Sequence, residues 1–198
     1  MLAHGAGSGM QHPFLEAMAR ALAERGIASF RYEFLYMERH QGRPDAPAVA
    51  EARVRAAVLE AARAVPGLPL FAGGKSFGGR MTSQAQAREP LPGVRGLVFL
   101  GFPLHPPGRA GTSRADHLDA VRVPMLFLQG SRDEFAGLDL LRPVVQRLRA
   151  RATLHLIEGG DHSFKVLKRT GRTETDVLEE LANTVASWVT NPGAVPRG

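Results

Sequence analysis

Cysteine is absent from the sequence. That excludes a disulfide framework, a thiolate metal site and a cysteine nucleophile, and it suits a reducing compartment. No apolar run approaches the roughly 20 residues that a membrane-spanning helix needs. No basic stretch followed by an apolar one opens the chain at Met1-Leu2-Ala3-His4-Gly5, so a signal peptide is not expected. The expectation is a cytoplasmic protein with no membrane partner. Lysine is scarce: Lys75, Lys165 and Lys168 are the only ones, so nearly all positive side chains are arginine. No block of like charges is found either. The formal charge is +6, but Arg20, Arg53, Arg88 and Arg122 are scattered. The densest group, Arg142, Arg147, Arg149 and Arg151, alternates with apolar residues like the solvated face of a helix. Nucleic acid is therefore not an expected partner, although the charge favours acidic substrates.

What is present is enough to fold. Of 198 residues, 44% are apolar and 22% charged, a balance that can bury a core. One domain over residues 1–190 is expected, with a Pro- and Gly-rich flexible tail at 191–198. Short apolar runs alternate with helical patterns, and no internal repeat or linker interrupts them. Apolar residues at Phe14, Leu15, Met18, Ala21 and Leu22 predict a helix within Gln11–Arg25, closed by Gly26. Further helices are expected at Ala48–Val65, Ser76–Glu89, Gly137–Arg149 and Thr173–Val189. Strands are expected at Ile27–Tyr32, Leu68–Ala72, Leu97–Leu100, Val123–Gln129 and Ala152–Ile157. Phe34–Pro47 and Phe102–Asp119 read as loops, too short for a lid domain. Strands separated by helices imply a mostly parallel sheet with helices on both faces.

The strongest chemical signal is Gly74-Lys75-Ser76-Phe77-Gly78. It matches the nucleophile-elbow pattern G-x-S-x-G, and it lies between a predicted strand and a predicted helix, as the elbow requires. Gly74 and Gly78 would remove clashes that side chains there would create, and Gly79 adds room. The segment also contains Gly-Lys-Ser, as phosphate-binding loops do. A Walker motif needs another glycine five residues before Gly74; Pro69 stands there, so that reading fails on spacing.

A serine hydroxyl needs a base, and the base needs an orienting acid. His162, in Gly159-Gly160-Asp161-His162-Ser163, follows the last expected strand and is the candidate base. Asp133 follows Val123–Gln129 and is the candidate acid, with Glu134 and Asp139 as rivals; Asp161 is too close in sequence to reach around the ring. Ser76, Asp133 and His162 stand in the chain order of the strand–turn–helix hydrolases. An oxyanion needs backbone N–H donors; Phe77, after the nucleophile, and Ala6, in the loop His4-Gly5-Ala6-Gly7-Ser8-Gly9, are the candidates. His105, in Phe102-Pro103-Leu104-His105-Pro106-Pro107, is a candidate substrate contact. Arg80 is expected to pair with an acid of the protein, with a substrate anion as the alternative partner.

These stretches, spread over nearly the whole chain, resemble a dienelactone-hydrolase-like branch of the α/β-hydrolase superfamily. More narrowly, the chain resembles a group of small bacterial α/β-hydrolase-fold proteins whose eukaryotic relatives include a testis-expressed protein and a subunit of a histone-acetylating complex. The matching segments are His4-Gly5-Ala6-Gly7, residues 73–81, residues 102–108, residues 129–133 and residues 159–163. The resemblance implies an α/β-hydrolase fold, Ser76, Asp133 and His162 as the triad, and neither metal nor organic cofactor. Dienelactone hydrolases proper carry a cysteine nucleophile, so their substrate does not transfer. Related proteins have one or two strands before the His-Gly loop. Here only three residues precede it, so N-terminal strands are expected to be missing, and the cut edge would favour a homodimer. The expected activity is cleavage of a small-molecule acyl ester; the alternative is a non-catalytic interaction module on the same fold.

Overall fold

The structure is a computed structural model that describes residues 1–106 and 108–192. The expected flexible tail therefore lies almost wholly outside the described residues, as does Pro107. Six strands run in the order β2-β1-β3-β4-β5-β6 and all neighbours pair in parallel. They are β1 (Leu2–Ala3), β2 (Arg31–Tyr32), β3 (Leu70–Lys75), β4 (Val94–Leu100), β5 (Met125–Gly130) and β6 (Ala152–Ile157). The helices between them are α1 (Pro13–Ala23), α2 (Leu35–Glu38), α3 (Pro47–Ala64), α4 (Phe77–Arg88), α5 (Leu138–Leu148) and α6 (Glu174–Thr190). No helix among the described residues is long and apolar enough to cross a membrane.

The alternation of side chains along β4 and β5 explains the two-faced core. Leu97, Phe99, Met125 and Phe127 point to one face, where they pack with residues of α3, α4 and α5 such as Val54, Met81 and Leu141. Val98, Leu100, Leu126 and Leu128 point to the other, against Met18 and Leu22 of α1 and Leu181 and Trp188 of α6. A strand buried on both sides must be apolar throughout, which is why Met-Leu-Phe-Leu reads as an unbroken run. The α/β-hydrolase architecture, a parallel sheet flanked by helices with no lid among the described residues, follows from this arrangement.

Several boundaries differ from expectation. The predicted strand Ile27–Tyr32 pairs only at its end, over Arg31–Tyr32. The predicted strand Leu68–Ala72 lies two to three residues further on, at Leu70–Lys75. Pro69 has no N–H to donate and keeps the start short. Gly73 and Gly74, which would ordinarily signal a turn, continue the strand instead. The two predicted loops contain short elements: α2 in the first and a 3₁₀ helix, Ser113–Ala120, in the second. Neither is long enough to give a periodic signal.

The topology places a crevice. From β1 the chain moves outward to β2 through α1 on one face, then returns across β1 to β3 through α3 on the other. The carboxyl ends of β1 and β3 are therefore followed by segments that diverge to opposite faces. Such a reversal is where open parallel sheets form their sites. The loop after β1 holds Ala6, and the turn after β3 holds Ser76.

Candidate active site

Ser76 is the single residue between β3 and α4. Its backbone is at φ 48° and ψ −111°, outside the regions that residues with a Cβ normally adopt. Hydrogen bonds on both sides hold it there: Ser76 N–H donates to Leu100 O at 3.1 Å, and Arg80 N–H donates to Ser76 O at 3.1 Å. The flanking glycines are required because the loop after β1 passes directly beneath. A Cβ at Gly74 would sit 2.2 Å from Ala3 O, and one at Gly78 would sit 2.5 Å from His4 O. At Gly79 the close neighbour would be Gly74 O, at 2.8 Å. The hydroxyl is thus presented at the tip of a turn, over the amino end of α4.

His162 and Asp133 come to it from β6 and β5. His162 Nε2 lies 2.9 Å from Ser76 Oγ, and His162 Nδ1 lies 2.7 Å from Asp133 Oδ2. An ionised carboxylate can only accept, so Nδ1 carries the proton and Nε2 keeps a lone pair facing the serine. The Asp133 side chain is fully buried and that of His162 is 17% exposed. Burying a carboxylate demands donors, and Asp133 has three. Besides the imidazole, Gln129 Nε2 donates to Oδ2 and Phe135 N–H donates to Oδ1 at 2.8 Å. Gln129 in turn accepts from Phe102 N–H at 2.8 Å, which ties the acid to the end of β4. Phe135 packs on the imidazole, with ring centroids 4.4 Å apart. The rival acids Glu134 and Asp139 are exposed. Asp161 instead closes its own turn, accepting from Ser163 and Lys165 N–H through one oxygen.

The loop after β1 is fixed by His4. This residue is fully buried; its Nδ1 lies 2.7 Å from Gly5 O, and its Nε2 accepts from Phe34 N–H at 3.0 Å. Burial lowers its pKa, so it stays neutral and bridges the two segments. Ser8 Oγ–H also donates to Gly5 O, at 3.0 Å. With its carbonyl held inward, the Gly5–Ala6 peptide must aim the Ala6 N–H the opposite way, because C=O and N–H are trans across the planar unit. Tyr36 Oη accepts from Gly7 N–H at 2.9 Å and fixes the next peptide. Phe77 is the first residue of α4, so its N–H has no partner within the helix. Neither it nor Ala6 N–H donates to a loop or turn carbonyl among the described residues.

Lys75 reaches from β3 to the His162 carbonyl and lies over the Phe164 ring at 5.1 Å. Burial brings its pKa down to about 8, against the pull of Asp133 and Asp161. It supports the loop that carries the imidazole. His105 is buried: its N–H donates to Phe135 O, in the loop after β5, at 3.3 Å, and its ring Nδ1 is 3.0 Å from Pro106 O. It makes no hydrogen bond to Ser76, His162 or Asp133 among the described residues. The expected acid partner of Arg80 is not there: among the described residues its guanidinium makes no ion pair, and its buried Nε has no partner. His4, Lys75, Tyr36 and Gln129 were not singled out for these contacts by sequence reasoning. The available signals were a histidine before a Gly-rich loop and a lone amide closing an apolar strand.

A separate apolar cavity of about 900 Å³ lies at the opposite, amino ends of the strands, lined by residues such as Met18, Leu22, Phe30, Phe71 and Val185. It is remote from Ser76. Among the described residues no cluster of three or more His, Asp or Glu side chains is arranged to hold a metal.

Comparison with known proteins agrees with this architecture. A lidless α/β serine hydrolase from Xanthomonas campestris superposes with a TM-score of 0.71 at 23% identity, over 100% of this chain and 83% of that one. Est1E from Butyrivibrio proteoclasticus, with ferulic acid bound, gives 0.69 at 16% identity, over 96% and 88% of the two chains. The esterase domain of a Rhodothermus marinus protein gives 0.69 at 16% identity, over 98% and 86%. At these identities the likeness is one of fold. The family model described as an alpha/beta hydrolase domain matches residues 1–190, and the chain belongs to that family.

Proposed function

We propose that this protein is a serine hydrolase that cleaves a small acyl ester or a related acyl bond. The observation that carries the reading is the unbroken hydrogen-bond chain from Ser76 Oγ through His162 to Asp133. In the proposed reaction the substrate carbonyl sits over the elbow. Ser76 Oγ attacks its carbon as His162 Nε2 takes the hydroxyl proton. Asp133 keeps the ring oriented and stabilises the imidazolium without taking a proton itself. The N–H groups of Phe77 and Ala6 donate to the tetrahedral oxyanion, with the positive end of α4 behind them. As the C–O bond breaks, the imidazolium returns its proton to the departing alcohol, leaving an acyl-serine. Water, deprotonated by the same imidazole, then releases the acid and restores the hydroxyl.

The strained serine and the fully satisfied buried acid favour this reading over a binding module, which has no use for either. Without a lid the site is open, which suits short or flexible acyl groups. The resemblance of the residue pattern supports a dienelactone-hydrolase-like branch as the proposed subgroup, and the lack of cysteine supports the cytoplasm as the proposed compartment. Kinetics with phenyl butyrate tests the mechanism. Ser76→Ala and His162→Ala should each lower kcat by on the order of 10⁴-fold or more, and the double variant should lose little beyond that. Independent, multiplying losses would mean that the two side chains do not act as a unit.

A further inference from the structure

Among the described residues, most half-buried arginines find a carboxylate: Arg25, Arg31, Arg53, Arg55 and Arg172 reach Glu179, Glu16, Glu38, Glu89 and Glu180. Arg80 and Arg114 do not: no acid of the described residues lies within ion-pair distance of either. Both are half-buried. Arg80 stands one helical turn after Ser76, and side chains of a helix lean back toward its amino end. Its guanidinium accordingly lies against the Phe77 ring, 5.9 Å from the centroid, with its Nε buried and unpartnered. Arg114 opens the 3₁₀ helix that packs on α4. It is close enough for its charge, together with burial, to bring Arg80 down to about 10. His117, one turn along the same segment, lies 2.7 Å from Ser83 Oγ. Burial and the charge of Arg80 hold it neutral against Asp116, down to about 4. Two like charges therefore share a partly dry site at the positive end of a helix, where a cation is disfavoured and an anion is favoured. A buried charge without a partner is costly, and here the missing counter-charge faces the nucleophile's end of α4.

We propose that Arg80 and Arg114 bind an anionic group of the substrate, so that the preferred ester carries a free carboxylate or similar oxyanion beside the bond that Ser76 attacks. This rests on the hydrolase reading for its chemistry, though not for its binding site. The two guanidiniums contribute charge-assisted hydrogen bonds to that oxyanion. They select among esters without taking part in acyl transfer.

The test compares phenyl butyrate with two charged analogues, after subtraction of uncatalysed hydrolysis. Phenyl hemisuccinate places the carboxylate on the acyl side; the butyrate ester of 4-hydroxybenzoate places it on the alcohol side. The wild type should favour one charged ester over phenyl butyrate by at least about tenfold in kcat/KM, and the favoured one tells which side the anion occupies. Arg80→Met and Arg114→Met should each reduce that preference about tenfold, chiefly through KM, while Arg80→Lys keeps part of it. Calorimetry on the Ser76→Ala protein supplies a readout that needs no turnover: the favoured charged ester should bind more tightly than phenyl butyrate, and Arg80→Met in that background should abolish the difference. No preference for either charged ester in rate and binding alike, or a preference that both Met variants retain, overturns the anion site. Tight, arginine-dependent binding with no Ser76-dependent turnover would overturn the hydrolase reading and leave the anion site standing.

Discussion

Replacing Gln129 with leucine would strip two polar groups of their partners at once. Asp133 Oδ2 would keep only the imidazole, and Phe102 N–H would lose its acceptor. An orphaned buried donor costs about 1–3 kcal/mol. Gln129→Leu should therefore lower stability by that amount in urea titration. It should also reduce kcat about tenfold with little change in KM, because it loosens a positioning contact and leaves the substrate site intact. At this scale the sequence was partly legible. Ser76, Asp133 and His162 stand out because motif, strand ends and chain order constrain them together. Gln129, Lys75 and Tyr36 do not. What makes each of them matter is a partner distant in sequence (Phe102, His162 and Gly7 respectively). No local pattern records that partner. Arg80 illustrates the converse: pairing with an acid of the protein is the expectation from sequence, and among the described residues the fold leaves it without one.

Among the elements, the elbow is the most tightly determined. β3 and α4 can meet at Ser76 only because Gly74 and Gly78 let the chain of Ala3 and His4 pass within backbone contact. A methyl group at Gly78 would lie 2.6 Å from Ala3 Cβ as well as 2.5 Å from His4 O, and neither neighbour is the movable end of a side chain. Gly78→Ala should destabilise the protein by more than about 3 kcal/mol. A shift of the urea midpoint reads this, and activity per folded molecule should fall too, since the same contact positions the Ala6 loop. The glycines were visible in the sequence as relief of crowding; what they avoid, the strand β1, was not. The extended end of β3 has the same origin. Reading Gly73-Gly74 as a turn follows local propensity, whereas tertiary contact makes them strand: a Cβ at Gly73 would be 1.8 Å from Val98 O. The amphipathic helices α1 and α6 emerged close to expectation because a whole face of each packs on the sheet.

Across the molecule, burial holds several bases below their ordinary pKa, among them His117 at about 4, His4, and Lys75 at about 8. Unfolding restores them to ordinary values, so between the two values the unfolded chain binds more protons and stability rises with pH. For His117 that window runs from about 4 to 6.5, and for Lys75 from about 8 to 10.5. Thermal denaturation should show Tm increasing from about pH 5 to about pH 7, with His117 contributing roughly 2 kcal/mol. Its replacement by asparagine should make this acid limb shallower. A Tm that falls over this range would contradict the burial of these bases. The order of strands has a functional consequence at this scale. The reversal at β1 and β3 opens the crevice, and Ser76, His162, Asp133 and the Ala6 loop all follow carboxyl ends of strands. A homodimer would have to pair through an edge strand such as β2, which itself pairs over two residues only. It is a matter for sedimentation rather than for the active site.

The account turns on Ser76 being a nucleophile whose proton His162 removes. The most direct measurement is reaction of the folded protein with a fluorophosphonate, followed by peptide mass mapping. It predicts a single adduct on Ser76, lost in Ser76→Ala and formed far more slowly in His162→Ala. A folded wild-type protein that remains unlabelled at Ser76, or labels there equally fast without His162, would contradict it.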